Sequence, residues 1–347
     1  MKAVPHAVFR EINKRKLIYV VVALFIISVM IDRSYLNRFN LQGLTTDVVI
    51  IGFLALGQML CIISGGIDLS VGCMASASSV LTAYMMIQLQ NAGFPPWLNL
   101  IGSVLFALGF CTALGIINGL SIAVLKLPPL IATLGGMWIA RGFGFYFLNG
   151  MATSFRVKEF TNLTRIRVGF IPLAFFLFLA IVVLVFYILT RRRSGRAVYA
   201  MGGNPYSAQL SGISNKKVII SVYACSALLA AISGLVLGSF TGAGYVKGAD
   251  GFELYSIAAV AIGGVSMAGG SGDTFNAMLG VVVFRMISKL LVFAGLSSLL
   301  EGLYLGLLMI VALLLSTGTF TPAVSWARRR LTRTGNKPRA EGGPADE

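Results

Sequence analysis

Charge is scarce in this chain. Only 12% of its 347 residues are Asp, Glu, Lys or Arg, whereas a soluble domain carries ~25%. A larger soluble core does not remove the need for a charged surface, so the deficit argues against a water-soluble globule and for an outer surface that faces lipid. Histidine is scarcer still. His6 stands alone near the N-terminus, which leaves histidine-based catalysis and histidine-ligated metal sites almost nothing to build on. The four cysteines, Cys61, Cys73, Cys111 and Cys225, fall in apolar segments without C-x-x-C spacing. They read as small apolar packing residues, with no disulfide or zinc site implied. There is no G-x-x-x-x-G-K-[ST] run and no Gly-Lys dipeptide, so the chain has no phosphate-binding loop of its own. No stretch resembles a soluble catalytic domain. No catalytic residue, metal site or bound cofactor is expected, and ATP with its Mg would have to be handled by a separate subunit.

Apolar residues fill the space that charge leaves, at 57% of the chain, and the 40 glycines exceed the ~7% average. Glycine is common where transmembrane helices approach closely. A bilayer core takes ~20 apolar residues to cross, and ten segments qualify: 17–31, 44–63, 69–88, 98–122, 130–149, 171–190, 218–240, 256–272, 274–295 and 300–318. The first is short, and the junctions at 64–68 and 273 have almost no loop, so broken helices or re-entrant hairpins are alternatives there. The expected fold is an all-α polytopic membrane protein of about ten transmembrane helices, within a range of eight to ten. Lys14, Arg15 and Lys16 before the apolar run from Leu17 to Ile31 look like a signal peptide, but Asp32-Arg33-Ser34-Tyr35 follows with no small-x-small cleavage site. A retained first helix is expected.

The net charge of +16 would suggest nucleic acid in a soluble protein. Here the cations flank apolar runs and serve as topology anchors. With the N-terminus in the cytoplasm, eighteen Lys and Arg fall on cytoplasmic segments and seven on external ones, which favours cytoplasmic N- and C-termini. The division is then a basic cytoplasmic segment 1–16, a transmembrane domain 17–318 with a cytoplasmic loop 191–217, and a tail 319–347 that is basic and then Gly/Pro-rich and acidic, a composition that predicts disorder.

Three features stand out inside this frame. In the loop 191–217, Asn204 before Pro205 has the pattern of a helix N-cap with proline at the first helical position, and Gly212 that of a stop. A short helix on the cytoplasmic face is expected, with Tyr206, Leu210 and Ile213 on one side. Secondly, Gly65-Gly66-Ile67-Asp68-Leu69-Ser70-Val71-Gly72 repeats the pattern of Gly263-Gly264-Val265-Ser266-Met267-Ala268-Gly269-Gly270. Paired interruptions of this kind point to a transporter whose broken backbone lines a cavity. Ser64, Gly65, Gly66, Asp68, Ser70, Gly263 and Gly264 are the candidate substrate path. Thirdly, an aspartate at mid-membrane costs ~2.5–3.5 kcal/mol, so Asp68 must face protein, water or substrate. It either lines the path or caps the next helix through the amide of Ser70 or Val71. Arg141, Arg285, Lys289, Asp250, Glu253 and Glu301 lie in or near spans; snorkelling toward a surface accounts for the cations, a favoured helix N-terminus for Glu253.

At this point the residues resemble a family. SGGIDLSVG from Ser64 to Gly72 resembles the signature of the ribose-type sugar permeases of bacterial ABC importers. So do Thr133-Leu134-Gly135 with Arg141-Gly142, Gly202-Gly203-Asn204 with Leu210-Ser211-Gly212-Ile213, and the block from Gly251 to Gly272. The resemblance runs from about residue 45 to 316. It implies an ABC importer permease fold in the bacterial inner membrane, with no enzyme activity of its own. The implied partners are a second permease (a copy or a homologue), a cytoplasmic ABC ATPase and a periplasmic binding protein that delivers a monosaccharide. It makes Gly203, Asn204, Pro205, Tyr206, Ser207, Leu210, Gly212 and Ile213 the ATPase-coupling loop. Two positions depart from the family pattern: Pro205-Tyr206-Ser207 stands where Glu-Ala-Ala is common, suggesting an ATPase adjusted to this loop, and Tyr255 stands where an acid is usual. Related scaffolds carry nucleosides or branched-chain amino acids. An ion-coupled transporter is a further alternative, but it would need ionisable groups in several spans, and only Asp68 fits that role.

Overall fold

The computed structural model describes residues 16–155 and 157–295, with positions 303, 304, 306, 307, 310 and 311. Its main helices are α1 Lys16–Ile31, α2 Arg38–Ile63, α3 Val71–Asn91, α4 Pro96–Ala123, α5 Pro129–Leu148, α6 Leu173–Arg191, α7 Arg193–Gly203, α8 Pro205–Leu210, α9 Asn215–Thr241, α10 Phe252–Ile262 and α11 Thr274–Phe293. Among the described residues, short β ties occur in the connections: Thr153–Ser154 pairs with Ala243–Gly244, and Arg167–Val168 with Ile171–Pro172. Among the described residues, α2, α3, α4, α6, α9 and α11 are long and apolar enough to cross a membrane. At 1.5 Å per residue even the 19-residue α6 reaches ~28 Å, close to the ~30 Å hydrocarbon core. The segment 1–15, Glu301, most of the expected last span 300–318 and the tail 319–347 lie outside the described residues.

One expected span needs correction. The apolar run 256–272 is not one helix: α10 stops at Ile262 and an irregular segment leads to α11. Hydropathy reads the glycines and small residues after 262 as apolar, whereas the backbone uses Gly264 at φ +77° to leave the helix. The break falls after Ile262, ahead of the junction at 273 where a broken helix or hairpin was an alternative.

The core is built around α2, in which every residue from Val48 to Ile63 is buried. A helix apolar on all sides belongs inside a bundle. By contrast α4 and α6 keep large apolar side chains exposed, Leu105 at 62% and Val183 at 57%. A face of that kind is stable only against lipid or a partner. Close helix approach depends on glycine at Gly119 of α4, where a Cβ would come 2.8 Å from the Ile220 backbone of α9.

The cations within spans each have a polar partner. Arg285 Nη2 pairs with Asp47 Oδ2 at 2.6 Å, Lys289 Nζ donates to Asn40 Oδ1 at 3.0 Å, and Arg141 Nη2 meets Asp250 Oδ1 at 2.6 Å. Arg285 and Lys289, four residues apart on α11, thus reach separate partners on α2. Glu253 falls in the first turn of α10, as its position before the span suggested.

Candidate functional site

The two glycine interruptions are helix ends of one design. At the end of α2, the Ser64 amide donates to Leu60 O at 3.1 Å, Gly65 to Ile62 O at 2.9 Å and Gly66 to Cys61 O at 2.9 Å, with Gly65 at φ +89°. At the end of α10, Gly263 donates to Ala259 O at 3.0 Å, Gly264 to Ala261 O at 2.9 Å and Val265 to Val260 O at 3.3 Å. Such a stop needs one left-handed residue, which glycine supplies without strain. The structural equivalence is therefore Gly65 with Gly264 and Gly66 with Val265, one residue out of step with the alignment that matches the two Gly-Gly pairs.

These ends also touch. The Gly270 amide donates to Ile63 O at 2.9 Å, joining the segment after α10 to the last turn of α2. The C-terminus of α7 sits in the same place. A Cβ on Gly202 would collide with Ile63 O and come 2.7 Å from Gly270 N, and one on Gly269 would come 2.9 Å from Gly202 O and 3.1 Å from Gly65 Cα. The Tyr199 hydroxyl donates to Gly272 O at 2.8 Å. Three chain segments thus meet backbone to backbone, at a separation only glycine permits.

From this junction the chain enters α8 directly. Asn204 caps it, its side chain accepting from the Ser207 amide at 3.0 Å, and Asn215 Nδ2 donates to Pro205 O at 2.8 Å. Gly212 at φ +82° ends the turn that follows. Tyr206 and Leu210 are 73% and 72% exposed. Ile213 does not share their helix face: α8 ends at Leu210, and after the Gly212 reversal Ile213 is half-buried against the core. α7 itself was not expected from the sequence. Its buried Gly195, Val198 and Met201 lie three apart, a helical spacing that was legible but was masked by the surrounding arginines.

Asp68 occupies the turn between α2 and α3 and is 1% exposed. Its Oδ1 accepts from the Ser70 amide at 2.9 Å and the Ser70 hydroxyl at 2.6 Å, and its Oδ2 from the Ser226 hydroxyl of α9 at 2.8 Å. Ser70 Oγ in turn accepts from Asn118 Nδ2 of α4 at 3.2 Å, and Thr133 Oγ1 of α5 from the Leu69 amide at 3.2 Å. The turn is therefore bonded to three helices besides the two it joins. Ser226 lies eleven residues into α9, ~16 Å from its first residue, so the carboxylate is deep within the bundle. Of the path candidates, Ser64, Asp68, Ser70 and Gly263 are buried, whereas Gly65 and Gly264 are exposed at the two helix ends. Ser64 spends its hydroxyl on Cys61 O of its own helix, at 2.7 Å. Ser226 and Asn118 were not singled out from the sequence, because an isolated hydroxyl or amide in an apolar span carries no spacing signal; Thr133 was named only within the family-like run Thr133-Leu134-Gly135.

Helices fit to cross a membrane, with interrupted ends gathered at a glycine junction that carries a capped, exposed helix, describe a multi-pass membrane protein. Residues 40–313 match the family described as the branched-chain amino acid transport system permease component, and the chain belongs to that family. It is 32% identical to the probable ABC transporter permease protein YphD of Escherichia coli K12, over 88% of this chain and 90% of that protein. It is likewise 32% identical to the ribose import permease protein RbsC of Bacillus subtilis, over 84% and 89% of the two chains, and to the fructose import permease protein FrcC of Rhizobium meliloti, over 85% and 82%. No solved structure matches the chain.

Proposed function

We propose that this permease is the membrane subunit of an inner-membrane ABC importer for a monosaccharide, delivered by a periplasmic or extracellular binding protein and driven by a separate ATPase. The family name mentions branched-chain amino acids, but the ribose and fructose permeases named above and a D-allose permease of Escherichia coli, 33% identical over 74% of this chain, favour a sugar. The chemistry agrees, since an uncharged polyol needs hydroxyl-matching groups and few fixed charges. About ten spans, cytoplasmic termini and a pair of permeases complete the proposed arrangement. The path runs past the two helix ends at Ser64–Gly66 and Gly263–Gly264, with Asp68 and Ser70 behind them. ATP-linked movement of the partner would rock this pathway between inward- and outward-open states.

The observation that carries this reading is α8: a capped helix with Tyr206 and Leu210 exposed, rooted in the junction of both interruptions. An exposed apolar pair on such a short helix suits a partner surface. Burying a leucine there contributes ~1.5–3 kcal/mol, at least a tenfold change in affinity at ~1.4 kcal/mol per decade. Leu210→Asp is accordingly expected to leave the permease inserted while the ATPase no longer co-purifies and binding-protein-stimulated hydrolysis is lost. Undiminished ATP-driven uptake by this variant would remove α8 from the coupling role; an ion-coupled transporter would show the same indifference.

The orientation is open to a separate test. Ser194 and Lys158 are both exposed. Single cysteines placed there, on a background lacking the four native cysteines, are expected to differ: an impermeant thiol reagent added outside labels position 158 and spares 194. The opposite pattern would invert the topology.

A further inference from the structure

α6 and α9 both pack along α2, and an open apolar slot of about 610 Å³ lies between them. Leu60 of α2 forms its floor, the stretch from Ile181 to Leu189 of α6 one wall and that from Val218 to Ile232 of α9 the other, with Gly195 and Val198 of α7 across one end. That end is polar, lined by Lys217, Ser194 and Ser221. Along α9 the slot runs fifteen residues from Lys217 to Ile232, ~22 Å at 1.5 Å per residue. One leaflet of a ~30 Å hydrocarbon core is ~15 Å deep, so an extended acyl chain fits lengthwise.

The charge around the polar end is one-sided. Between 191 and 217 the chain has Arg191, Arg192, Arg193, Arg196, Lys216 and Lys217 and no Asp or Glu. All six cations are exposed, and neither ion pair among the described residues involves them. Arg192 rests on the Tyr187 ring, 5.3 Å from its centroid, which holds its guanidinium beside α6. We propose that the slot is a binding site for an anionic phospholipid, with one acyl chain lying along α9 and the phosphate at Lys217 and its neighbouring cations. Cations clustered at one end of an apolar groove are the features that phosphate headgroup recognition requires. A second copy of the chain suits the slot less well, because a two-fold contact here presents each copy's patch to the same patch on the other and so brings like charges together.

Cys225 provides an internal reporter, being exposed, unlike the other three cysteines, and part of the slot lining. With the full-length permease in detergent, native mass spectrometry is expected to show palmitoyl-oleoyl phosphatidylglycerol retained at a concentration at least tenfold below that needed for the phosphatidylcholine of the same chains. Added phosphatidylglycerol should slow maleimide labelling of Cys225, a signal absent from Cys225→Ser. Lys216→Gln with Lys217→Gln should bring phosphatidylglycerol down to the phosphatidylcholine level, and Leu228→Trp, by filling the slot, should weaken both lipids. The lysines are exposed and removable without disturbing packing, so they decide the matter even if the tryptophan variant misfolds. Equal retention of the two lipids by the native chain overturns the proposal. So does a lysine variant that keeps the preference, and so does a Cys225–Cys225 cross-link formed on oxidation without lipid, which would assign the slot to a second copy.

Discussion

Gly202→Ala is expected to lower uptake at least tenfold and to reduce thermal stability in detergent, whereas Gly203→Ala, one residue on, leaves both near the native level. The two positions are matched in sequence and opposite in surroundings. A Cβ at Gly202 points into Ile63 O and Gly270 N, which are bonded to each other at 2.9 Å, while one at Gly203 meets nothing within 4 Å. Alanine gains ~1 kcal/mol over glycine in a helix interior; Gly203 is the last residue of α7, so little of that gain is realised there and nothing opposes it. At Gly202 it is outweighed. Overpacking costs ~1–3 kcal/mol, and separating a buried amide from its carbonyl adds ~1–3 kcal/mol for each group left unpaired. The damage falls where α7, the end of α2 and the segment after α10 meet, so α8 would lose its anchorage on both interruptions. Thermal melting of the purified variants, with uptake measured on the same preparations, reads the effect. Indistinguishable behaviour of the two alanine variants would show that the junction neither stabilises the fold nor transmits motion.

Asp68→Ala is expected to have the largest effect of any single substitution in the turn between α2 and α3. It removes the acceptor for the Ser70 amide, the Ser70 hydroxyl and the Ser226 hydroxyl. A buried donor left without a partner costs ~1–3 kcal/mol, so the variant should lose several kcal/mol of stability and most uptake. Asp68→Asn separates geometry from charge. Its amide oxygen can accept both Ser70 bonds, and its NH2 can donate to Ser226 Oγ, since a hydroxyl accepts as well as donates. The bonded partners of Asp68 include no cation, so a neutral acceptor is expected to suffice, and the asparagine variant should keep most stability and uptake. Serine is too short to span from Ser70 to Ser226 and should fall between. Loss of uptake by the asparagine variant with unchanged melting would instead assign the carboxylate's charge to the transport step.

Much of this was legible because it is local. Asn204, Pro205 and Gly212 marked the ends of a short helix segment through capping chemistry that spans a few residues, and the structure has that helix. The glycine at 65 announced a helix end for the same reason, since a left-handed residue is a requirement of the single turn in which it stands; the run at 263–270 was noticed, but the expected span still passed through Gly264. Where local rules failed, the cause was also physical. Ile213 has the right spacing from Leu210 but lies beyond a reversal that spacing does not encode. The segment after Ile262 is as apolar as a helix, and only its glycine backbone departs from one.

Membrane embedding, the interruption after Ile63 and the short capped helix in the 191–217 loop were readable from the chain alone. Charge scarcity, apolar run length and capping residues each act over a turn or a span, so a linear reading finds them. Which interruptions meet and which polar groups pair is settled by long-range packing. Arg285 finds Asp47 from 238 residues away, Ser226 reaches Asp68 across 158, and Gly270 closes on Ile63. No pattern in the chain selects these partners. In a bilayer the surface that faces lipid and the surface that faces another helix are equally apolar, so hydropathy cannot tell them apart, and the choice falls to shape: where glycine lets two backbones touch, and where a buried donor has an acceptor within reach.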